Sequence, residues 1–203
     1  LTMLSVSSPG TQGGRSMGKE WHLLVDTLAE LLHCTSFRSA DGSNLEADPA
    51  FAMWREAALG VRDRCKTVFL IGNGASASMA SHFAADLAKN GHLHTEVFSD
   101  LSLITAISND LGYENVFSEP LKSHASPGDM LVAISSSGRS PNILKAVEEA
   151  TRMGVRVVTL SAMAPENPLR RAGWLNAYAP APTYGLAETC HAAILHHWMD
   201  SIA

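Results

Sequence analysis

The 203-residue chain is 46% hydrophobic and 17% charged, enough apolar content for one substantial core and close to the size of a single domain. Its formal charge of -5 comes without a block of basic residues, which removes the electrostatic footprint expected of a nucleic-acid binder. Cys34, Cys65 and Cys190 are odd in number and widely spaced, so they read as buried thiols of a cytoplasmic protein rather than a disulfide framework, and no apolar run approaches the ~18 residues of a membrane span.

Residues 1–18 are rich in Ser and Gly and lack both a periodic apolar pattern and the features of a signal peptide. They read as a disordered leader, leaving 19–203 as one folded domain. Trp21, Leu24, Leu28, Leu31 and Leu32 recur at helical spacing, and Phe51, Trp54, Ala58 and Val61 mark a second helix from about Asp48 to Cys65. Two helices thus precede the first strand. From Thr67 the segment TVFLIGNGASA reads as strand, glycine turn and helix, with the helix over Ser76 to Asn90. The pattern recurs where DMLVAISSSGRSPN passes from a buried strand into the helix NILKAVEEATRMG, and Val155 to Leu160 is the next strand. A last helix covers Glu188 to Ile202. This alternation predicts an α/β fold: a doubly wound parallel sheet with right-handed crossovers and helices on both faces.

In such a sheet ligands collect at the carboxyl ends of the strands, where both polar loops fall. Gly72, Asn73, Gly74, Ala75 and Ser76 bring glycines and backbone N–H groups to a helix start, which favours a phosphate or sugar oxygen, although such a turn can also serve only as a cap. Ser135, Ser136, Ser137, Gly138, Arg139 and Ser140 supply four hydroxyls at a second helix start without the lysine of a nucleotide-binding P-loop, which suits a phosphomonoester. Ser140 is also placed to cap the helix with Pro141 at its first position, but three further serines exceed what a cap needs. His82 and Asp86, four apart, share a helix face and can hold a metal or substrate together, or form a surface pair. Glu188, His191, His196 and His197 crowd an otherwise apolar helix, which points to acid/base or metal chemistry, with His191 a candidate core histidine.

The motifs GNGASAS, HFAADL, SND, ISSSGRSPN and ETCHAAILHHWMD together resemble the sugar isomerase (SIS) domain family, and within it the phosphoheptose isomerase branch, over about Trp21 to Ala203. The resemblance implies that Asn73, Gly74, Ala75 and Ser76 line the sugar with Asn109, Asp110 and Glu188, while Ser135, Ser136, Ser137 and Ser140 hold the phosphate. It implies catalytic roles for Asp86 and His196, and a divalent metal, zinc favoured, at His82, Asp86, Glu188 and His196. It also implies a homotetramer with active sites at subunit interfaces, built on the amino-terminal helices. The chain departs from the family pattern with Asp86 in place of Glu, Glu188 in place of Gln and Gly185 where an Asp is usual. A further departure spans Ser161 to Tyr178, where SAMAPENPLRRAGWLNAY replaces a glycine-rich turn.

Glu188 and His196 are eight residues apart, roughly 12 Å of helix rise, so one helix cannot bring both to one metal. Either the helix begins after Glu188 or the site is shared between subunits. The implied reaction is aldose–ketose isomerisation of a phosphorylated sugar through an enediol, with Asp86 and His196 dividing the base and acid roles. The sugar expected is sedoheptulose 7-phosphate. Two rival readings are an isomerase of another sugar phosphate and a non-catalytic SIS protein that binds a phosphosugar.

Overall fold

The computed structural model describes residues 20–203, so the expected leader over 1–18 lies outside the described residues. The chain begins with α1 (Trp21–His33), β1 (Ser36–Ser39), β2 (Asn44–Leu45) and α2 (Ala47–Asp63). Next come β3 (Thr67–Gly72), α3 (Ala75–Gly91), β4 (His94–Val97), α4 (Leu101–Leu111) and α5 (Ser118–His124). It ends with β5 (Met130–Ser135), α6 (Pro141–Arg152), β6 (Arg156–Ala162), β7 (Leu175–Ala179) and α7 (Tyr184–Asp200).

The strands form one sheet in the order β2-β1-β7-β6-β5-β3-β4, with β7 through β4 mutually parallel and β1 antiparallel to both of its neighbours. After β4 the chain crosses to the other side of β3 to lay down β5. The strand order therefore reverses between β3 and β5, and the crevice beyond their carboxyl ends is the place for a ligand. Both polar loops of the sequence open there.

Burial on both faces explains why the strands read as unbroken apolar runs. Every residue of β5 is buried; along β3, Val68 and Leu70 join the core beneath α2, α3 and α7, while Phe69 and Ile71 join the core beneath α5 and α6. The first core centres on Trp54 of α2 and Trp198 of α7, both 0% exposed and stacked with ring centroids 4.1 Å apart. Among the described residues neither indole N–H has a hydrogen-bond partner, so the pair contributes through apolar burial and ring contact.

Four features differ from the sequence expectation. A hairpin, β1 and β2, stands between the first two helices; at four and two residues its strands are too short to show alternation, and they form because β1 covers the free edge of β7. β7 itself was obscured by Asn176 at its centre, a buried amide whose Nδ2 donates to the Thr159 hydroxyl at 2.8 Å. Cys34 and Cys65 are exposed, because they fall at the ends of α1 and α2 where the chain turns at the surface, and only Cys190 is buried. In addition, α7 starts at Tyr184, four residues earlier than expected, because Thr183 accepts the Leu186 N–H and caps the helix there.

Trp54→Ala should lower the unfolding free energy by about 3 to 5 kcal/mol, whereas Trp54→Phe should cost well under half as much because it keeps most of the ring contact and removes an unpaired N–H. Denaturant unfolding followed by circular dichroism measures both.

Candidate active site

β5 ends at Ser135 and the chain turns back at once, the Gly138 N–H donating to the Ser135 carbonyl at 3.0 Å. Gly138 has φ +60, and a Cβ there would collide with the side chain of Asn167. Asn167 is itself fixed, its Nδ2 donating to the Ala162 and Ala164 carbonyls and its Oδ1 accepting from the Arg170 N–H. The Leu169 N–H donates to the Gly138 carbonyl at 3.2 Å. The serine loop thus rests on a buttress that follows β6.

Ser140 occupies the cap position of α6 with Pro141 next, yet its hydroxyl makes no capping bond and lies 3.2 Å from the Ser135 hydroxyl. Capping alone therefore does not account for it. Ser135, Ser136, Ser137 and Ser140 line a cavity of about 150 Å³ with Asn73, Ser76, Ile134, Tyr184 and Glu188. The Ser136 Oγ is buried and has no partner among the described residues. Hydroxyls gathered beside the starts of α3 and α6 suit an oxyanion, since both helix ends carry partial positive charge.

On the other side of the crevice, Gly72 is required because a Cβ would run into the backbone of Ser76, 2.5 Å away. Asn73 forms a reciprocal amide pair with the buried Asn142: its Nδ2 donates to Asn142 Oδ1 at 3.0 Å and its Oδ1 accepts from Asn142 Nδ2 at 2.8 Å. The Tyr113 hydroxyl donates to the same Oδ1 at 3.1 Å. With that oxygen taken twice and one Nδ2 proton given to Asn142, Asn73 keeps one side-chain N–H without a partner among the described residues, which suits an acceptor. Gly74 and Ala75 form the exposed helix start beside it. The sequence reading missed Asn142, Tyr113 and Tyr184; Asn142, in the quoted ISSSGRSPN, carried a signal in its position one residue past the Pro141 helix start.

A second cluster joins α3 to α7. His82 Nε2 lies 3.4 Å from Asp86 Oδ2, and the His82 and His196 rings are 5.7 Å apart between centroids. His196 also packs edge-on against Phe83 at 4.7 Å. Glu188 is not with them: it lines the serine cavity two turns earlier in the same unbroken helix. The possibility that the helix begins after Glu188 is thereby removed. Among the described residues no three His, Cys, Asp or Glu side chains converge on a point that fits a metal, so a single chain does not assemble the expected ligand set.

The other expected residues fall elsewhere. Asn109 and Asp110 are exposed on the last turn of α4, where Asn109 Nδ2 donates to Asp110 Oδ1 at 2.8 Å, and neither lines the cavity. His197 packs on Phe51 with centroids 4.5 Å apart. His191 is a core histidine: it is fully buried, its Nε2 hydrogen-bonds the Ser161 carbonyl at 3.1 Å, and burial holds its pKa down at about 4. Burial likewise pushes the neighbouring Cys190 thiol up. Open space surrounds the Gly185 Cα beside the cavity.

A SIS domain family model matches residues 56–162. A phosphoheptose isomerase from Campylobacter concisus is 45% identical over 104 residues, 47% of this chain and 54% of that protein, so this match spans about half the length of the relative. A phosphoheptose isomerase from Shewanella denitrificans is 32% identical over 182 residues, 82% of this chain and 91% of that protein. Among solved structures, a phosphoheptose isomerase from Neisseria gonorrhoeae superposes with a TM-score of 0.74 at 27% identity, covering 90% of this chain and 98% of that one.

Two predictions follow from the geometry of the loop and the buried imidazole. Gly138→Ala, strained at φ +60 and obstructed by Asn167, should weaken inorganic phosphate binding about tenfold or more by calorimetry. His191 stays neutral when folded but protonates when unfolded between its ordinary pKa of 6.5 and about 4, so the unfolded chain binds more protons in that window and stability falls with falling pH. Relative to His191→Asn, the protein should lose roughly 1.4 kcal/mol per pH unit there, measured by denaturant unfolding.

Proposed function

The chain belongs to the SIS domain family, and from that premise we propose that it is an aldose–ketose isomerase of a phosphorylated sugar, converting sedoheptulose 7-phosphate to D-glycero-D-manno-heptose 7-phosphate in heptose biosynthesis. The observation that carries this reading is the serine-lined cavity at the β3/β5 reversal, whose hydroxyls go unused by the helix cap they adjoin. The phosphate sits among Ser135, Ser136, Ser137 and Ser140. The sugar carbonyl or a hydroxyl oxygen accepts the free N–H of Asn73, and Glu188 and Tyr184 close the opposite wall.

The reaction moves one proton between adjacent carbons. A base removes a proton from C1 of the ketose, the electron pair forms the C1–C2 double bond of the enediol, and the C2 carbonyl oxygen takes up a proton from an acid. Return of a proton to C2, with loss of the O1 proton, yields the aldose. We assign these proton transfers to Asp86 and His196, with His82 against the Asp86 carboxylate as the group that orients it.

In one chain this pair is remote from the cavity. Asp86 lies ten residues along α3 from Ser76, about 15 Å, and His196 eight residues along α7 from Glu188, about 12 Å. A sugar phosphate anchored at the serines of one chain is therefore best served by the Asp86 and His196 of a second copy. We infer a homotetramer with shared sites. The exposed apolar residues Trp21, Leu23, Val25 and Leu32 of α1, and the groove of about 350 Å³ lined by Leu32, Phe37, Phe51 and Ile194, offer the surface it would bury. The same assembly is the arrangement we propose for bringing Glu188 to His82, Asp86 and His196, a set of two imidazoles and two carboxylates with the chemistry of a zinc site. Zinc there would polarise the carbonyl and hydroxyl oxygens.

No helix of the described residues is long and apolar enough to cross a membrane. We place the protein in the cytoplasm, the compartment of phosphorylated sugars and of unpaired surface thiols such as Cys34 and Cys65.

Incubated with sedoheptulose 7-phosphate, the protein should form the aldoheptose phosphate by NMR, and Asp86→Asn should lower turnover by at least about a hundredfold while phosphate-ligand affinity is retained. Binding without product would replace the isomerase by a phosphosugar-binding protein, and undiminished turnover in Asp86→Asn would remove that carboxylate from the chemistry.

A further inference from the structure

At the amino-terminal end of β7, the sheet edge holds a second pocket, of about 320 Å³, between the β1–β2 turn and the segment that leads into β7. It shares no lining residue with the serine cavity. Arg38, Arg170 and Arg171 stand in its walls. The last two come from the stretch between β6 and β7 in which the sequence departs from the family pattern, and the isomerase reading gives these two arginines no task.

The charges there are unbalanced. Glu166 pairs with Arg171 and is held below the usual carboxylate range by it and, more weakly, by Arg38 and Arg170. Asp41, on the pocket rim, accepts from the Ser39 hydroxyl at 2.6 Å and the Ser43 N–H at 3.0 Å. Three guanidiniums thus face two carboxylates that are already bonded.

Arg170 is also fixed in place. It donates to the Pro165 carbonyl at 2.8 Å and the Ser36 hydroxyl at 3.0 Å, and its guanidinium lies 4.0 Å from the Tyr178 ring centroid. Its Nε is buried without an acceptor among the described residues, and burial together with nearby Arg38 pulls its pKa down. Asn176, only 2% exposed and lining the same pocket, has an Oδ1 without a partner among the described residues. One fixed guanidinium, two more in the pocket walls and an unmet buried acceptor suit a ligand that carries both an anionic group and a hydroxyl.

The pocket is connected to the serine loop. The segment that carries Arg170 and Arg171 also carries Asn167, packed on Gly138, and Leu169, whose N–H bonds the Gly138 carbonyl. A ligand that draws the arginines together would pull on that buttress.

We propose that this pocket is a second, regulatory anion site for a small phosphorylated compound bearing free hydroxyls, coupled to the serine loop through Asn167–Arg171. Glycerol 3-phosphate is the probe, titrated by calorimetry into the full chain carrying Ser135→Ala and Ser137→Ala so that the serine cavity contributes little, with sodium chloride as the ionic-strength control. The expected result is one saturable site per chain, weakened about tenfold by Arg38→Ala and strengthened by Glu166→Gln, which frees Arg171. A gain of affinity in Glu166→Gln cannot arise from misfolding. Hydrogen exchange in the peptide containing Gly138 should slow on binding. No saturable heat, or an affinity unmoved by both Arg38→Ala and Glu166→Gln, would overturn the site; unchanged exchange at Gly138 would overturn its coupling. No turnover is measured, so either result leaves the isomerase reading standing or falling on its own assay.

Discussion

Between β3 and β5 the chain reverses the direction in which it lays down strands, and two loops distant in sequence then meet beyond the carboxyl ends of adjacent strands. Each loop needs a glycine for a steric reason: Gly72 because the start of α3 comes back against it, Gly138 because Asn167 occupies the space of a side chain. Every polar feature of the cavity depends on this meeting. Without the reversal, Asn73 would not find Asn142, and the serine hydroxyls would line an isolated helix start.

The rigidity of α3 and α7 imposes a second constraint. Both helices begin at the cavity and carry Asp86 and His196 away from it, so in one chain the serine cavity and the pair to which we assign proton transfer stand apart. The unburied apolar residues of α1 belong to the same problem. The shared site we propose would cover Trp21, Leu23 and Val25, which one chain leaves exposed, and would bring the Asp86 of a second copy to the substrate.

The parallel core was legible because burial on both faces leaves unbroken apolar strands, and the serine loop because four hydroxyls in six residues exceed the needs of a cap. The edge was not legible. β1 and β2 are too short to carry a period, and β7 holds a buried asparagine whose partner, Thr159, becomes visible only when β6 lies beside it. Among site residues, the pairing of Asn73 with Tyr113 joins positions forty apart, which no local pattern can encode. The start of α7 was not legible either: the Thr183 cap sets it at Tyr184, four residues before Glu188, which puts Glu188 beside the serine cavity and on one continuous helix with His196.

The division of the site between copies is most directly tested by mixing two inactive variants, one with Ser135→Ala and Ser137→Ala in the phosphate loop and one with His196→Asn, and assaying the co-expressed oligomer on sedoheptulose 7-phosphate. A shared site predicts that turnover returns in the mixture, because some interfaces pair an intact serine loop with an intact His196. Turnover that stays at the level of the separate variants would contradict it and place the whole site within one chain.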